Sequence, residues 1–471
     1  MNRQEKFNQF VSRWPHDHTL FWRRPPEAGL PTRRQFFQFL GAGLSGYCLW
    51  PTPGSAQTPP VTTVSVTMQN KARNCIFLLL GGGPSHIDTF DFKMVDGITP
   101  ADLQPQNISG IVFPVGLMPR IAEKLSQLAI VRSMRAWAAV HSVAQTWTQV
   151  GRNPTSAAGK IAPHIGSIVA LEKRRERTPS QIFPTFLALN VNNSPGAGYL
   201  PAQYAPFKIN PSAAGLGNTT HPAGPGRFAD LWTVLHQLDD PLRQNSPLGK
   251  PVEDLDSFYE SARGLMYNPV AEQAFRGLPA DSARYGNTAF GNACLVANQV
   301  LAANQGTRFI QISLSGWDMH GDIYDPKAPN SLYPQSKTFD DGFATLLTDL
   351  QSAGLLKETL IVAAGEFGRT VGDITTKKGR DHFLQQFVVF AGAGIRGGRT
   401  IGATSDSGAY IVDPGWSRQR EVRIEDVEAT IYSAMGINWT TIRYDDPARR
   451  GFEYVPFARE DVYGPINELW A

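Results

Sequence analysis

No internal repeat and no dominant charge sign marks the 471 residues, and no apolar stretch is long enough to cross a bilayer. Charged residues make up only 18% and hydrophobic residues 42%, which excludes disorder as the main state and leaves material for one large α/β domain or two smaller ones. Residues 1 to 57 hold seven Lys or Arg against three acids. That segment contributes +4, so the remainder sits near −1 within a formal total of +3 and lacks the basic surplus of a nucleic-acid binder. Cysteine is scarce, with three residues. Glycine and proline, 44 and 35 residues, are plentiful without a period, as in a chain with many ordered loops.

Thr32-Arg33-Arg34-Gln35-Phe36-Phe37, the short apolar stretch Phe39 to Trp50, and Pro53-Gly54-Ser55-Ala56-Gln57 occur in that order. This resembles a twin-arginine signal, so the expected partner is the twin-arginine export machinery and the expected destination the periplasm or the exterior, with no stable membrane span after processing. Export by that route implies folding, and acquisition of any metal, before transport. Tyr47 before Cys48 speaks against a lipidated cysteine. Processing leaves Cys75 and Cys294, which either pair or stand as two buried thiols.

The body shows strand signals that stop at glycine. Asn74 to Leu80 ends at Gly81-Gly82-Gly83-Pro84, Phe309 to Leu314 at Ser315-Gly316-Trp317, and Thr359 to Ala364 at Gly365. Ser336 to Ser352 has helical spacing between the second and third, which makes a strand, helix, strand unit. Phe387 to Phe390 and a helix over Glu425 to Met435 continue the alternation. The expected organisation is a signal over 1–57, a Pro/Thr-rich linker over 58–73 and one domain over 74–471, with a loop-rich insertion or cap at about 180–300 that holds helical patches at Phe228 to Leu238 and Asn287 to Ala303.

Open parallel sheets bind ligands outside the carboxyl ends of their strands, and the polar motifs fall there. Gly81 to Asp91 fails as a dinucleotide loop because His86 occupies the third glycine position and Pro84 removes an amide. Asp88, with His86 nearby, is a candidate metal ligand, with helix capping as its alternative. Asp318 and His320 stand two apart after the second strand. After the third, Glu366 is a candidate ligand, Arg369 a candidate grip on a tetrahedral oxyanion, and His382, beside Asp381, a ligand that completes the site. An ion pair between Glu366 and Arg369 is the structural alternative. His141-Ser142 offers a further, weaker candidate ligand, as Asp381 does, and a candidate nucleophile at a helix start, where N-capping is the commoner use of a serine such as Ser142. No G-x-S-x-G elbow occurs, so a serine hydrolase of the usual α/β type has little support.

The runs Gly-Gly-Pro-Ser-His-Ile-Asp-Thr-Phe-Asp, Gly-Trp-Asp-Met-His, Gly-Glu-Phe-Gly-Arg-Thr and Gly-Arg-Asp-His resemble the bacterial family known as domain of unknown function 1501, from the twin-arginine segment to the closing tail. The resemblance implies a sulfatase-like member of the alkaline phosphatase superfamily: a three-layer αβα sandwich around a mostly parallel sheet, hydrolysing phosphate or sulfate esters at a metal site. Carried over, Asp88, Asp318, His320 and His382 match ligand positions, while Glu366 stands where an Asp is usual and Phe367 where a second His is usual. Asp318 and His320 are also closer together than the pattern, and the modified-Cys motif of sulfatases is absent. The expectation is an exported hydrolase with a divalent metal, zinc suiting the His and carboxylate set and calcium, magnesium or manganese being open, acting on a small-molecule or glycan ester. The rival expectation is a non-catalytic exported glycan-binding or scaffold protein on the same sheet.

Overall fold

The strand β1 (Asn74–Gly81) is buried at every position, as a strand covered on both faces must be. In the computed structural model, which describes residues 66–243 and 259–471, it lies near the middle of the sheet. The twin-arginine segment and most of the linker lie outside the described residues.

Seven further strands complete this sheet: β2 (Leu128–Arg135), β3 (Phe186–Leu189), β4 (Phe207–Ile209), β5 (Phe309–Ser315), β6 (Thr359–Ala364), β7 (Gln385–Ala391) and β8 (Arg399–Ile401). The order is β8-β2-β7-β6-β1-β5-β3-β4. β1 pairs parallel with β5 and β6, β3 joins β5 and β4 in the same sense, and β8 runs parallel to β2. Only β7 is reversed against its two neighbours, β2 and β6. Its amino end therefore lies at the same edge as the carboxyl ends of the others.

Alternation along β1 divides the core in two. Ile76, Leu78 and Leu80 enter one apolar cluster, while Cys75, Phe77 and Leu79 enter the other. Helices close both faces. α1 (His141–Val150), α2 (Ile165–Lys173), α3 (Gly224–Arg243), α4 (Ala289–Ala303), α5 (Leu332–Ser352) and α6 (Ile424–Ala434) are the longer helices. α4 and α5 contribute to the first cluster, α2 and α6 to the second, which makes the three layers. Cys75 and Cys294 lie in opposite clusters, both as free buried thiols, so the pairing alternative is excluded.

The region 180–300, expected as a loop-rich insertion or cap, contributes two strands to the central sheet. The four-residue apolar run of β3 enters the central sheet beside β5, β4 follows it, and α4 packs in the core. What stands out is α3, whose Leu231, Val234 and Leu238 are exposed. No helix among the described residues is long and apolar enough to cross a membrane.

Candidate metal centre

Four side chains converge at the sheet edge where the carboxyl ends of β1, β5 and β6 meet the amino end of β7. His141 opens α1, Asp318 and His320 follow β5, and His382 lies just ahead of β7. One ligand atom from each lies within 4.8 Å of all the others. His320 Nε2 is 3.0 Å from His382 Nε2 and 3.0 Å from Asp318 Oδ1. Asp318 Oδ1 is also 3.2 Å from His141 Nε2 and 3.6 Å from His382 Nε2. Ligands on a tetrahedron with bonds of about 2.0–2.1 Å are spaced about 3.3 Å apart, so these separations match a zinc-sized ion.

The far side of each imidazole fixes what its Nε2 offers. His382 Nδ1 is 2.8 Å from the Ala139 carbonyl, His141 Nδ1 is 2.6 Å from Glu366 Oε1, and His320 Nδ1 is 2.8 Å from Asp381 Oδ1. A carbonyl or carboxylate oxygen can only accept, so each Nδ1 carries a proton and each ring turns its Nε2 toward the centre, where a neutral ring offers a lone pair. His141 Nε2 is buried, lies 3.2 Å from Asp318 Oδ1 and, among the described residues, has no hydrogen-bond partner. Two ring nitrogens 3.0 Å apart repel unless a proton or a metal ion lies between them, and this donor set fits a metal ion.

Electrostatics act differently on two of the rings. The hydrogen bond that His141 donates to Glu366 raises the pKa of His141, with burial opposing it, and so favours a proton that a metal would displace, whereas burial lowers the pKa of His382 and favours its neutral, ligating form. Asp318 loses some solvation, but the Arg369 guanidinium 2.5 Å away holds its carboxyl down at about 2. It remains a carboxylate at neutral pH. Asp318 and His320 have side chains 47% and 42% exposed, so the centre opens to solvent on their side.

Several expected ligands have other partners. Glu366 does not join the cluster: it is buried, accepts from the Gly82 amide at 2.9 Å and from Gln145 at 2.9 Å, and orients His141. Asp88 accepts from Arg380 Nε at 2.8 Å, from Tyr324 at 2.6 Å and from Ser85, in a buried ion pair outside the four-residue cluster. His86 is fully buried, with Nε2 2.9 Å from the Gly408 carbonyl and its ring parallel to Phe383. Arg369 cannot grip a substrate oxyanion, because its N–H groups reach the carbonyls of Gly82, Gly83 and Arg380 as well as Asp318 and His320. It positions Asp318 instead. Asp381 acts through His320. Ser142 is exposed and, among the described residues, its hydroxyl makes no hydrogen bond.

Phe367, which stands where a second histidine is usual, is buried beneath the site with its ring centroid 4.7 Å from that of His141 and 4.6 Å from that of His382. With Asp88 and Glu366 otherwise engaged, the side chains assembled here serve one ion. The Ala139 carbonyl is a part of the site that motif reading missed, since a backbone acceptor leaves no mark in sequence.

A family model described as protein of unknown function (DUF1501) matches residues 72–451. Among curated proteins, none matches the sequence. Similar solved structures include a sulfatase from Pseudoalteromonas sp., 12% identical, covering 87% of this chain and 72% of that one with a TM-score of 0.38. A protein in the alkaline phosphatase superfamily from Vibrio parahaemolyticus is 11% identical over 78% of this chain and 67% of its own, with a TM-score of 0.34. The lipoteichoic acid synthase LtaP from Listeria monocytogenes is 12% identical over 82% and 77%, with a TM-score of 0.35.

Proposed function

We propose, for a chain that belongs to the family described as protein of unknown function (DUF1501), the function of an exported metal-dependent hydrolase of phosphate or sulfate esters. The observation that supports it is the convergence of three histidine Nε2 atoms and one carboxylate oxygen within 4.8 Å of one another, open to solvent on one side. His141, Asp318, His320 and His382 would hold a divalent ion, zinc by the donor set. When bound, such an ion supplies Lewis acidity toward an ester oxygen.

The chain's own groups do the rest. Glu366, Asp381 and the Ala139 carbonyl fix the histidine tautomers, and Arg369 keeps Asp318 ionised and aimed. α1 begins at His141 behind Val140, which supplies no side-chain cap. Its first-turn amides, those of Ser142 and Val143, thus lie beside the centre as donors to an anionic ester, with the helix dipole in the favourable sense. The exposed Ser142 hydroxyl is the proposed nucleophile on that turn. Export through the twin-arginine route belongs to the same proposal, and its test is replacement of Arg33 and Arg34 by Lys, which should leave the precursor in the cytoplasm.

The rival, a non-catalytic glycan-binding or scaffold protein, is favoured by one observation: Arg369, the expected oxyanion grip, is wholly occupied. Metal analysis of the purified protein with assays on aryl phosphate and aryl sulfate separates the two. Bound metal, with turnover that disappears on chelation and in His320→Ala and His382→Ala, supports the hydrolase. Metal without turnover on either ester favours the rival, and activity that persists without metal overturns the proposal.

A further inference from the structure

The segment Ala136–Val140, between β2 and α1, carries two parts of the metal centre, for the Ala139 carbonyl orients His382 and the chain then enters His141. Beside the centre the Ala136 amide donates to the Leu384 carbonyl at 2.8 Å, and Ala136 packs against Phe367. A second hold comes from the opening turn of α6. Glu425, 3% exposed, accepts Trp137 Nε1 at 2.9 Å on one carboxylate oxygen and Trp147 Nε1 at 2.9 Å on the other. The two indoles stack with centroids 5.8 Å apart and planes 19° from parallel. Arg423 lies 3.8 Å over the Trp137 ring and donates to the Ala136 carbonyl at 2.8 Å and the Arg135 carbonyl at 3.1 Å.

Trp137 precedes His141 by one short loop and Trp147 lies within α1, so one carboxylate ties the stretch on both sides of the histidine to a helix buried along its whole length. A buried carboxylate receiving two indole N–H groups is demanding to build, since each donor would be left unsatisfied without it. An apolar contact would pack α1 against α6 equally well but would not fix the rotation of the segment. Two directional bonds to one rigid acceptor do.

We propose that Glu425 is a positioning residue for the metal centre, acting through Trp137 and Trp147 to set His141 Nε2 and the Ala139 carbonyl at their ligating geometry. This rests on the metal-site reading above. The test is zinc affinity by chelator competition, with the thermal midpoint of the metal-free protein measured in parallel, for wild type, Glu425→Gln, Trp137→Phe, Trp147→Phe and Tyr432→Phe. Gln keeps the shape but turns one acceptor into a donor against an indole N–H, while Phe keeps the ring and removes the donor. Tyr432 is buried further along α6 and bonds Glu428 at 2.9 Å, so its variant reports a purely structural loss on the same helix.

The inference expects Glu425→Gln and Trp137→Phe each to weaken zinc about ten-fold or more, the scale found for groups that orient metal ligands, and their double variant to lose less than the product of the two. Tyr432→Phe should lower the midpoint and leave affinity within two-fold of wild type. Glu425→Gln that loses thermal stability yet binds zinc as wild type does would overturn the positioning role alone. Wild-type protein that binds no zinc would overturn the metal-site reading and this inference with it. Should Glu425→Gln fail to fold, the two tryptophan variants decide the matter, because unchanged affinity in both overturns it.

Discussion

At the scale of single residues, the site separates carboxylates that touch the centre from those that act at one remove. Glu366→Gln leaves the Gly82 amide an acceptor but can turn an N–H toward His141 Nδ1, which removes the reason for Nε2 to present a lone pair. Zinc affinity should fall about 10–100-fold, with the fold retained, as chelator competition would show. Asp88 gives the opposite pattern. Both Asp88 and Arg380 are fully buried, so Asp88→Ala strands a guanidinium and should cost about 3–5 kcal/mol in denaturant unfolding, while the folded protein still binds zinc. Loss of zinc without loss of stability would restore Asp88 as a ligand.

His164 supplies a pH dependence independent of the metal. It is fully buried, its Nδ1 accepts the Gly166 amide at 2.8 Å as the cap of α2, and burial lowers its pKa from 6.5 to about 3. A depressed histidine means that the native state resists a proton the unfolded chain accepts. The stability it contributes is therefore present above pH 6.5 and lost as pH falls toward 3, at up to about 1.4 kcal/mol per unit. His164→Asn keeps a capping oxygen and cannot titrate. Its unfolding free energy should decline less between pH 7 and 4 than that of wild type, and parallel profiles would refute the assignment.

At the scale of elements, glycine loops bring the motif-bearing strand ends together. Gly82 has φ +113°, and a Cβ there would stand 2.5 Å from the Asp318 amide nitrogen and 2.7 Å from that of Trp317. Those are backbone atoms that cannot swing aside. Gly82→Ala should cost about 1–3 kcal/mol in strain and, by pushing the Asp318 segment outward, weaken zinc as well, so a stability loss with unchanged affinity would count against this packing role. Gly81-Gly82-Gly83 was legible as a strand ending at a loop, and so were Phe309 to Leu314 and Thr359 to Ala364, because continuous apolar runs that stop at glycine have few other readings. β2 escaped the reading because Arg132 and Ser133 interrupt its apolar pattern, and β3 because Phe186–Leu189 is four residues among prolines. β7 was visible as an apolar run, but its direction was not, since pattern records burial and not polarity of the chain. The same limit explains the site: acids and histidines at strand ends mark the neighbourhood, but whether Glu366 faces a metal or orients His141 depends on a rotation of one side chain.

At the scale of the whole molecule, the centre joins places far apart in the chain. Its ligands come from the start of α1, the loop after β5 and the approach to β7, so they meet only when β2, β5 and β7 hold their places in one sheet. A divalent ion should therefore bind the native state far more tightly than the unfolded one, and its binding free energy should appear as stability. One site at a free ion concentration 100 times the dissociation constant adds about 2.7 kcal/mol. The thermal midpoint of apoprotein should rise by a few degrees on saturation with zinc, return with chelator, and show no response in His382→Ala. Magnesium, which prefers six oxygen ligands, should give much less at equal concentration, because three imidazoles and one carboxylate offer it a single hard donor. Equal responses to zinc and magnesium would place the ion at carboxylates elsewhere, and an unresponsive wild type would mean that the three imidazoles are held by their own hydrogen bonds alone.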